Sequence, residues 1–220
     1  MNVRSIATPT HGRYLVAAPE GGGAAPVLVG FHGQAEDAEM QMERLAAIPG
    51  ASRWIRVSVQ GLNRFYRGRG DAQLVVAGWM TRQDRELAIE DNRAYVAGVL
   101  DAVAREFPVH GAAVFAGFSQ GVAMAYRAAA LPGRRAAGVI ALAADIPPEL
   151  RGALDGFPPV LLGHGNRDPW YDDARMDEDV KRLRAARVAV QTTVFDGAHE
   201  WTAEFGAACG RFLAEILDAH

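Results

Sequence analysis

The sequence predicts a doubly wound α/β domain, a mostly parallel central sheet flanked by helices, in one unit over residues 1–220. Three observations predict it. Short continuous apolar runs, such as Val27-Leu28-Val29-Gly30-Phe31 and Val160-Leu161-Leu162, suit strands buried on both faces of a parallel sheet. Between such runs lie segments whose apolar residues recur at helical spacing, the longest over residues 84–107. The polar residues best suited to chemistry follow the strands, at the carboxyl edge where sheets of this kind bind ligands.

In chain order, residues 3–7 and 13–18 read as two short strands joined by Thr8-Pro9-Thr10-His11-Gly12. Residues 26–31 form the first buried strand, ending in His32-Gly33-Gln34. Residues 35–48 are helical, with Glu36, Asp37 and Glu39 where the helix dipole favours acids, and Pro49-Gly50 stops them. Residues 54–59 are the next strand. Residues 61–83 read as one long irregular connection carrying Arg64, Arg67, Arg69, Trp79 and Met80, and loops of that length tend to be functional or mobile. The helix over 84–107 ends at Pro108. An apolar strand then runs into Gly117-Phe118-Ser119-Gln120-Gly121 and a helix over 122–131. Residues 138–142 and 160–165 are strands, separated by a proline-containing loop over 145–157 with at most one helical turn. Residues 171–187 are helical, acidic early and basic late, followed by a strand over 188–195 and a last helix marked by Trp201, Phe205, Phe212, Leu213, Ile216 and Leu217.

A serine between two glycines, on the turn from a strand to a helix, has the pattern of a nucleophile elbow. Side chains at Gly117 or Gly121 would collide where strand and helix close on each other. A serine hydroxyl needs a base to take its proton and a carboxylate to fix that base's tautomer. His199, on the loop between the last strand and the last helix, is the best base. His11 and His110 lie in peripheral turns, His220 is terminal, and His32 and His164 read as packed histidines at strand ends. Asp168, after the next-to-last strand, is the preferred acid; Asp145 and Asp196 are rivals, and Asp172 and Asp173 read as first-turn helix charges. For a developing oxyanion, the backbone N–H of Gln120 and that of Gln34, after Gly33, are the expected donors.

Phe31-His32-Gly33-Gln34, Gly117-Phe118-Ser119-Gln120-Gly121, Gly163-His164-Gly165-Asn166-Arg167-Asp168 and Gly197-Ala198-His199-Glu200 together resemble the phospholipase/carboxylesterase family, which includes the acyl-protein thioesterases. The order Ser119, Asp168, His199 is the one α/β-hydrolases use. The resemblance runs from about residue 27 to the C-terminus. It implies an α/β-hydrolase fold and a compact serine esterase needing no metal or cofactor, with a homodimer as a common assembly; the few residues between the elbow helix and the strand over 160–165 leave no room for a large lid domain. Of the Trp-Phe-Asp segment that the thioesterases carry, this chain keeps only Trp79, followed by Met80-Thr81-Arg82. Small, short-chain esters are therefore the expected substrates, with thioester, lysophospholipid or peptide substrates, or a non-catalytic binding role, as alternatives. Trp79, Met80, Trp170 and Trp201 are the candidate apolar walls. Arg64, Arg67 and Arg69 read as a solvated charged loop.

A net charge of −3 and a pI near 6.1 give no electrostatic case for nucleic acid or a membrane surface. No apolar run approaches the ~20 residues of a membrane span, and the N-terminal residues lack the apolar core of a secretory signal. The single cysteine, Cys209, fits a reducing cytoplasm.

Overall fold

The buried apolar runs become the middle of a twisted sheet. The computed structural model describes residues 2–219. Its strands are β1 (Arg13–Ala17), β2 (Val27–Phe31), β3 (Ile55–Gln60), β4 (Asn63–Arg67), β5 (Leu74–Gly78), β6 (Ala113–Phe118), β7 (Ala136–Leu142), β8 (Val160–Gly165) and β9 (Val190–Phe195). Its helices are α1 (Ala38–Ala47), α2 (Arg85–Glu106), α3 (Gln120–Ala129), α4 (Asp173–Ala185) and α5 (Ala203–Asp218). Among the described residues the main sheet has the order β1-β3-β2-β6-β7-β8-β9, with every pair parallel except the antiparallel edge pair β1–β3.

Alternate side chains of each central strand enter different layers. Val29, Phe31, Phe115, Val139 and Leu162 pack with residues of α2, α3 and α4, among them Val96, Tyr126 and Leu183. Leu28, Val114, Ile140 and Leu161 pack with residues of α1 and α5, among them Leu45, Phe205 and Phe212. Both faces of the sheet are thus covered, which is why its strands read as continuous apolar runs. Cys209 is buried in the second layer as a free thiol, pushed well above its ordinary range by burial. No helix among the described residues is long and apolar enough to cross a membrane.

The chain leaves β2 towards β3 on one side and returns to β6 on the other. Neighbouring strands whose connections diverge open a crevice at their carboxyl ends, and this switch point lies between β2 and β6. The loop after β2 carries Gln34 and the turn after β6 carries Ser119, so topology alone brings the two to one crevice. Only β7 and a single 3₁₀ turn, Pro148–Leu150, stand between α3 and β8, so no helical lid is inserted there.

Three expectations need correction. Residues 3–7 form no strand: Val3 and Ile6 are exposed, and strand propensity without a pairing partner leaves the chain irregular. The long connection over 61–83 is not irregular throughout, because β4 and β5 pair as an antiparallel hairpin. Helices α1 and α4 begin later than their acidic first turns suggested. Asp37 and Asp172 are N-caps, accepting hydrogen bonds from the backbone N–H of Met40 (2.8 Å) and Arg175 (3.0 Å).

Candidate active site

Ser119 follows β6 and precedes the first residue of α3. Its backbone sits at φ +52° and ψ −121°, a left-handed-side conformation that a serine adopts only under constraint. The constraint is visible. Ser119 donates its backbone N–H to Leu142 O at 2.9 Å, and its carbonyl accepts from Val122 N at 3.0 Å. A Cβ on Gly117 would run into the backbone of Gly121, and one on Gly121 into the carbonyl of Phe31. The two glycines therefore let strand, turn and helix close on one another. Ala35 and Ala143, at φ +59° and +65°, lie in the loops after β2 and β7, so strained backbone gathers at this edge of the sheet.

The Asp168 side chain is fully buried, and that of His199 is only 14% exposed. Asp168 Oδ2 lies 2.7 Å from His199 Nδ1. Asp168 Oδ1 accepts from the backbone N–H of Trp170 (2.8 Å) and Tyr171 (3.1 Å). A carboxylate only accepts, so Nδ1 carries the proton and Nε2 keeps its lone pair. The imidazole is held between two rings: Trp170 edge-on at 4.6 Å and Phe118 tilted at 5.0 Å. The loops bearing the two residues are laced together. Asn166 N donates to Phe195 O and Arg167 N to Gly197 O, both at 2.9 Å, while Gly197 N donates to Asn166 Oδ1 at 3.2 Å.

The rival acids are engaged elsewhere. Asp145 pairs with Arg175 at 2.9 Å, and the exposed Asp196 pairs with Arg167. His32 is fully buried and neutral in its bonding: Nδ1 donates to Gly33 O at 2.7 Å, and Nε2 accepts from Gly61 N at 2.9 Å. Burial pushes its pKa down, against the pull of that backbone bond. His164 donates to Gly165 O at 2.9 Å, and its Nε2 faces Asp173 at 3.1 Å without hydrogen-bond alignment. His11 and His110 are exposed, and His220 lies outside the described residues.

The loop after β2 is fixed from three sides. Ala35 N donates to Ala77 O (2.9 Å) and Ala77 N to Glu36 O (2.7 Å), tying the loop to β5. Gly33 N donates to the Glu36 carboxylate at 2.7 Å. Glu36 in turn holds Arg44 through two bonds of 2.6 and 2.7 Å, and the Arg44 guanidinium lies over the Phe118 ring at 4.6 Å. With the Gly33 N–H taken, the backbone N–H of Gln34 and that of Gln120, the first residue of α3, have no acceptor among the described residues.

Burial pushes the Glu36 carboxyl up, but Arg44 and the Gly33 N–H outweigh it and hold it below the ordinary 4.5. A depressed carboxyl stabilises the fold above its unfolded pKa, and this contribution is lost as the pH falls through the folded value. Glu36→Gln should therefore lower the melting temperature by the same amount at all pH values above ~5, and by less as the pH drops below ~4. Its cost near neutrality should be about 1.5–3 kcal/mol, because a charge-assisted network is broken. Thermal melts of both proteins across pH check this; a difference independent of pH would exclude the ion pair as its source.

Ser119, His199, Gln34, Gln120, Met80 and Trp170 line one cavity of about 880 Å³. A second cavity, about 670 Å³ between Ile89, Arg134 and Phe157, contains none of them. Trp79 and Trp201, expected as walls, do not line the first cavity. Trp79 is fully buried beneath β2, with Nε1 donating to His32 O at 2.8 Å and its ring edge-on to Phe31 at 5.6 Å. Trp201 packs edge-on to Phe205 at 5.2 Å, against the core. The Gln120 side chain has a function that no motif indicated. Its Oε1 accepts from Trp79 N at 2.7 Å and its Nε2 donates to Met80 O at 2.9 Å, clamping the end of the hairpin to the elbow. Arg64 and Arg67 bond to the backbone of His11 and Ala35, and neither they nor Arg69 line the cavity. Arg85, Arg127, Arg151 and Arg175 line it instead.

Comparisons with known proteins agree with this architecture. Solved structures of similar fold include the Bacillus cereus carboxylesterase (16% identity, 93% of this chain and 94% of that one, TM-score 0.71). Esterase PE8 (20% identity, 94% and 100%, TM-score 0.72) and the Zea mays acyl-protein thioesterase 2 (17%, 94% and 100%, TM-score 0.69) are further examples. No protein of curated function matches the sequence. The model of the phospholipase/carboxylesterase family matches residues 76–217, which takes in the elbow, Asp168 and His199 but not the loop of Gln34. With most of its length covered by that match, the chain belongs to the phospholipase/carboxylesterase family of esterase-type hydrolases.

Proposed function

We propose that the chain is a single-domain cytoplasmic serine esterase that cleaves small or short-chain carboxylic esters through an acyl-serine intermediate. The observation that carries the reading is the buried 2.7 Å bond from His199 Nδ1 to Asp168, on the same cavity as the strained Ser119 elbow. With Nδ1 protonated, His199 Nε2 takes the Ser119 proton as the hydroxyl oxygen attacks the ester carbonyl. Asp168 stabilises the imidazolium so formed. The backbone N–H groups of Gln34 and Gln120 stabilise the oxyanion, the second reinforced by the positive end of α3. His199 then protonates the leaving alcohol, and in the second half-reaction activates the water that releases the acid. Short acyl chains are favoured because Trp170 stands over His199 and no lid supplies further apolar surface.

A fluorophosphonate probe should label Ser119 stoichiometrically, and p-nitrophenyl acetate or butyrate should be turned over faster than the dodecanoate. Absence of labelling would favour a binding protein on this fold. Faster turnover of the long ester, or of a thioester, would shift the substrate class while leaving the serine chemistry intact.

A further inference from the structure

The wall of the cavity carries an excess of positive charge that the chain as a whole does not have. Arg85 of α2, Arg127 of α3, Arg151 after the 3₁₀ turn and Arg175 of α4 all line the cavity that contains Ser119. Two carboxylates answer these four guanidiniums. Asp145 pairs with Arg175 at 2.9 Å, while Glu149 is shared by Arg85 at 3.0 Å and Arg127 at 2.6 Å. Glu36 also reaches the cavity, but Arg44 neutralises it from behind. The net charge of the chain is −3, so a cationic cleft is a local arrangement and not a reflection of composition.

Arg151 stands apart from the other three. Among the described residues no carboxylate pairs with it, and its one hydrogen bond runs from Nε to Ile146 O at 3.2 Å. That bond anchors the stem of the guanidinium to the cavity wall and leaves the Nη1 and Nη2 fork unused. A fork of this kind matches the two oxygens of a carboxylate or phosphate. Arg127 differs in being 2% exposed and fastened by Glu149, so it serves as a fixed charge behind the wall. Ala144, Ile146, Pro147 and Pro148 give the cavity wall around this stretch an apolar lining, and the carboxylates Glu36, Asp145 and Glu149 are each paired with an arginine other than Arg151.

The geometry points to an anion subsite centred on Arg151, which makes esters bearing a carboxylate or phosphate group the preferred substrates of this cleft. This inference rests on the esterase reading for its chemistry, but binding of the anion does not require turnover. Charge on the substrate would raise kcat/KM chiefly through KM, since the anion contacts Arg151 equally in the ground and transition states.

Three aryl acetates of similar shape test it: 4-acetoxybenzoate, 4-acetoxyphenyl phosphate and the neutral methyl 4-acetoxybenzoate. The ratio of kcat/KM for an anionic ester to that for the neutral one should exceed unity by roughly tenfold at low salt, the size of one charge-assisted hydrogen bond, and fall as salt is added. Whichever anion shows the larger ratio identifies carboxylate or phosphate as the natural group. Arg151→Gln should collapse the ratio, Arg151→Lys should restore part of it, and Arg151→Glu should invert it. In parallel, calorimetric titration of the Ser119→Ala protein with 4-hydroxybenzoate and with its methyl ester should show tighter binding of the anion, lost when Arg151→Gln is added. A ratio at or below unity in the wild type, or one unchanged by Arg151→Gln, would overturn the subsite. Loss of hydrolysis of all three esters with preferential anion binding retained would overturn the esterase reading alone.

Discussion

Ser119→Ala is expected to lower kcat for p-nitrophenyl acetate by about 10⁴–10⁶-fold while leaving the fold intact, the residue left being what oxyanion donors and binding supply without a nucleophile. The effect is large because nothing else on the cavity can replace the hydroxyl. The only thiol, Cys209, is buried in the helix layer below the sheet. The expected stability change has the opposite sign to the activity change at this position. Ser119 sits at φ +52° for any side chain, so Ser119→Gly, which has no Cβ to strain, should gain about 1 kcal/mol. Steady-state kinetics, circular dichroism and thermal melts of the two variants check both statements. Wild-type turnover by Ser119→Ala would remove the proposed mechanism.

Asp168→Asn should be nearly as damaging, about 10⁴-fold in kcat, and for a different reason. The substituted amide keeps one oxygen, which can still accept from Trp170 N and Tyr171 N, so the loop should hold its shape. Its NH₂ then faces His199 Nδ1 and favours the tautomer with the proton on Nε2, which cannot accept the serine proton. Asp145→Asn is the matched control, because that carboxylate pairs with Arg175 and not with His199. Its effect on kcat should stay within a few-fold. A larger loss from Asp145→Asn than from Asp168→Asn, measured with a neutral ester, would exchange their assignments. The pair also separates chemistry from folding. Asp168→Ala would strand the buried N–H of Tyr171 and the half-buried one of Trp170 and cost about 2–3 kcal/mol, a loss that Asp168→Asn avoids.

Much of the molecule was legible because its signals are local. Strand and helix alternation followed from apolar spacing, and the sequence places a strand at each of the seven positions of the main sheet; β2, β3, β6, β7 and β8 show as buried apolar runs, while β9, at an edge, is half solvated along its length. Gly117 and Gly121 announced the elbow because a Cβ at either would clash with backbone already in place. Less was legible where partners are distant. Nothing in residues 61–83 says that Asn63–Arg67 and Leu74–Gly78 pair, since the first is exposed along its whole length, the second is exposed at its first two residues, and neither shows an apolar alternation. That pairing carries Trp79 beneath β2 and out of the cavity, which is why a tryptophan expected to face substrate is core. The cavity arginines at 85, 127, 151 and 175 come from three helices and a loop and share no spacing that could mark them.

By itself the sequence determined the fold class, the strained serine turn and a short set of acids and bases at strand ends. These are set by steric and periodic rules that act within a few residues. Only the tertiary structure sets Asp168, the acid preferred from its place after a strand, against a histidine 31 residues further on, and sets Asp145 and Asp196 against arginines. It also decided which aromatic residues face the cavity and how its charge is balanced. Such choices depend on strand order and register, which bring distant loops to one edge of the sheet, and no local pattern encodes that distance.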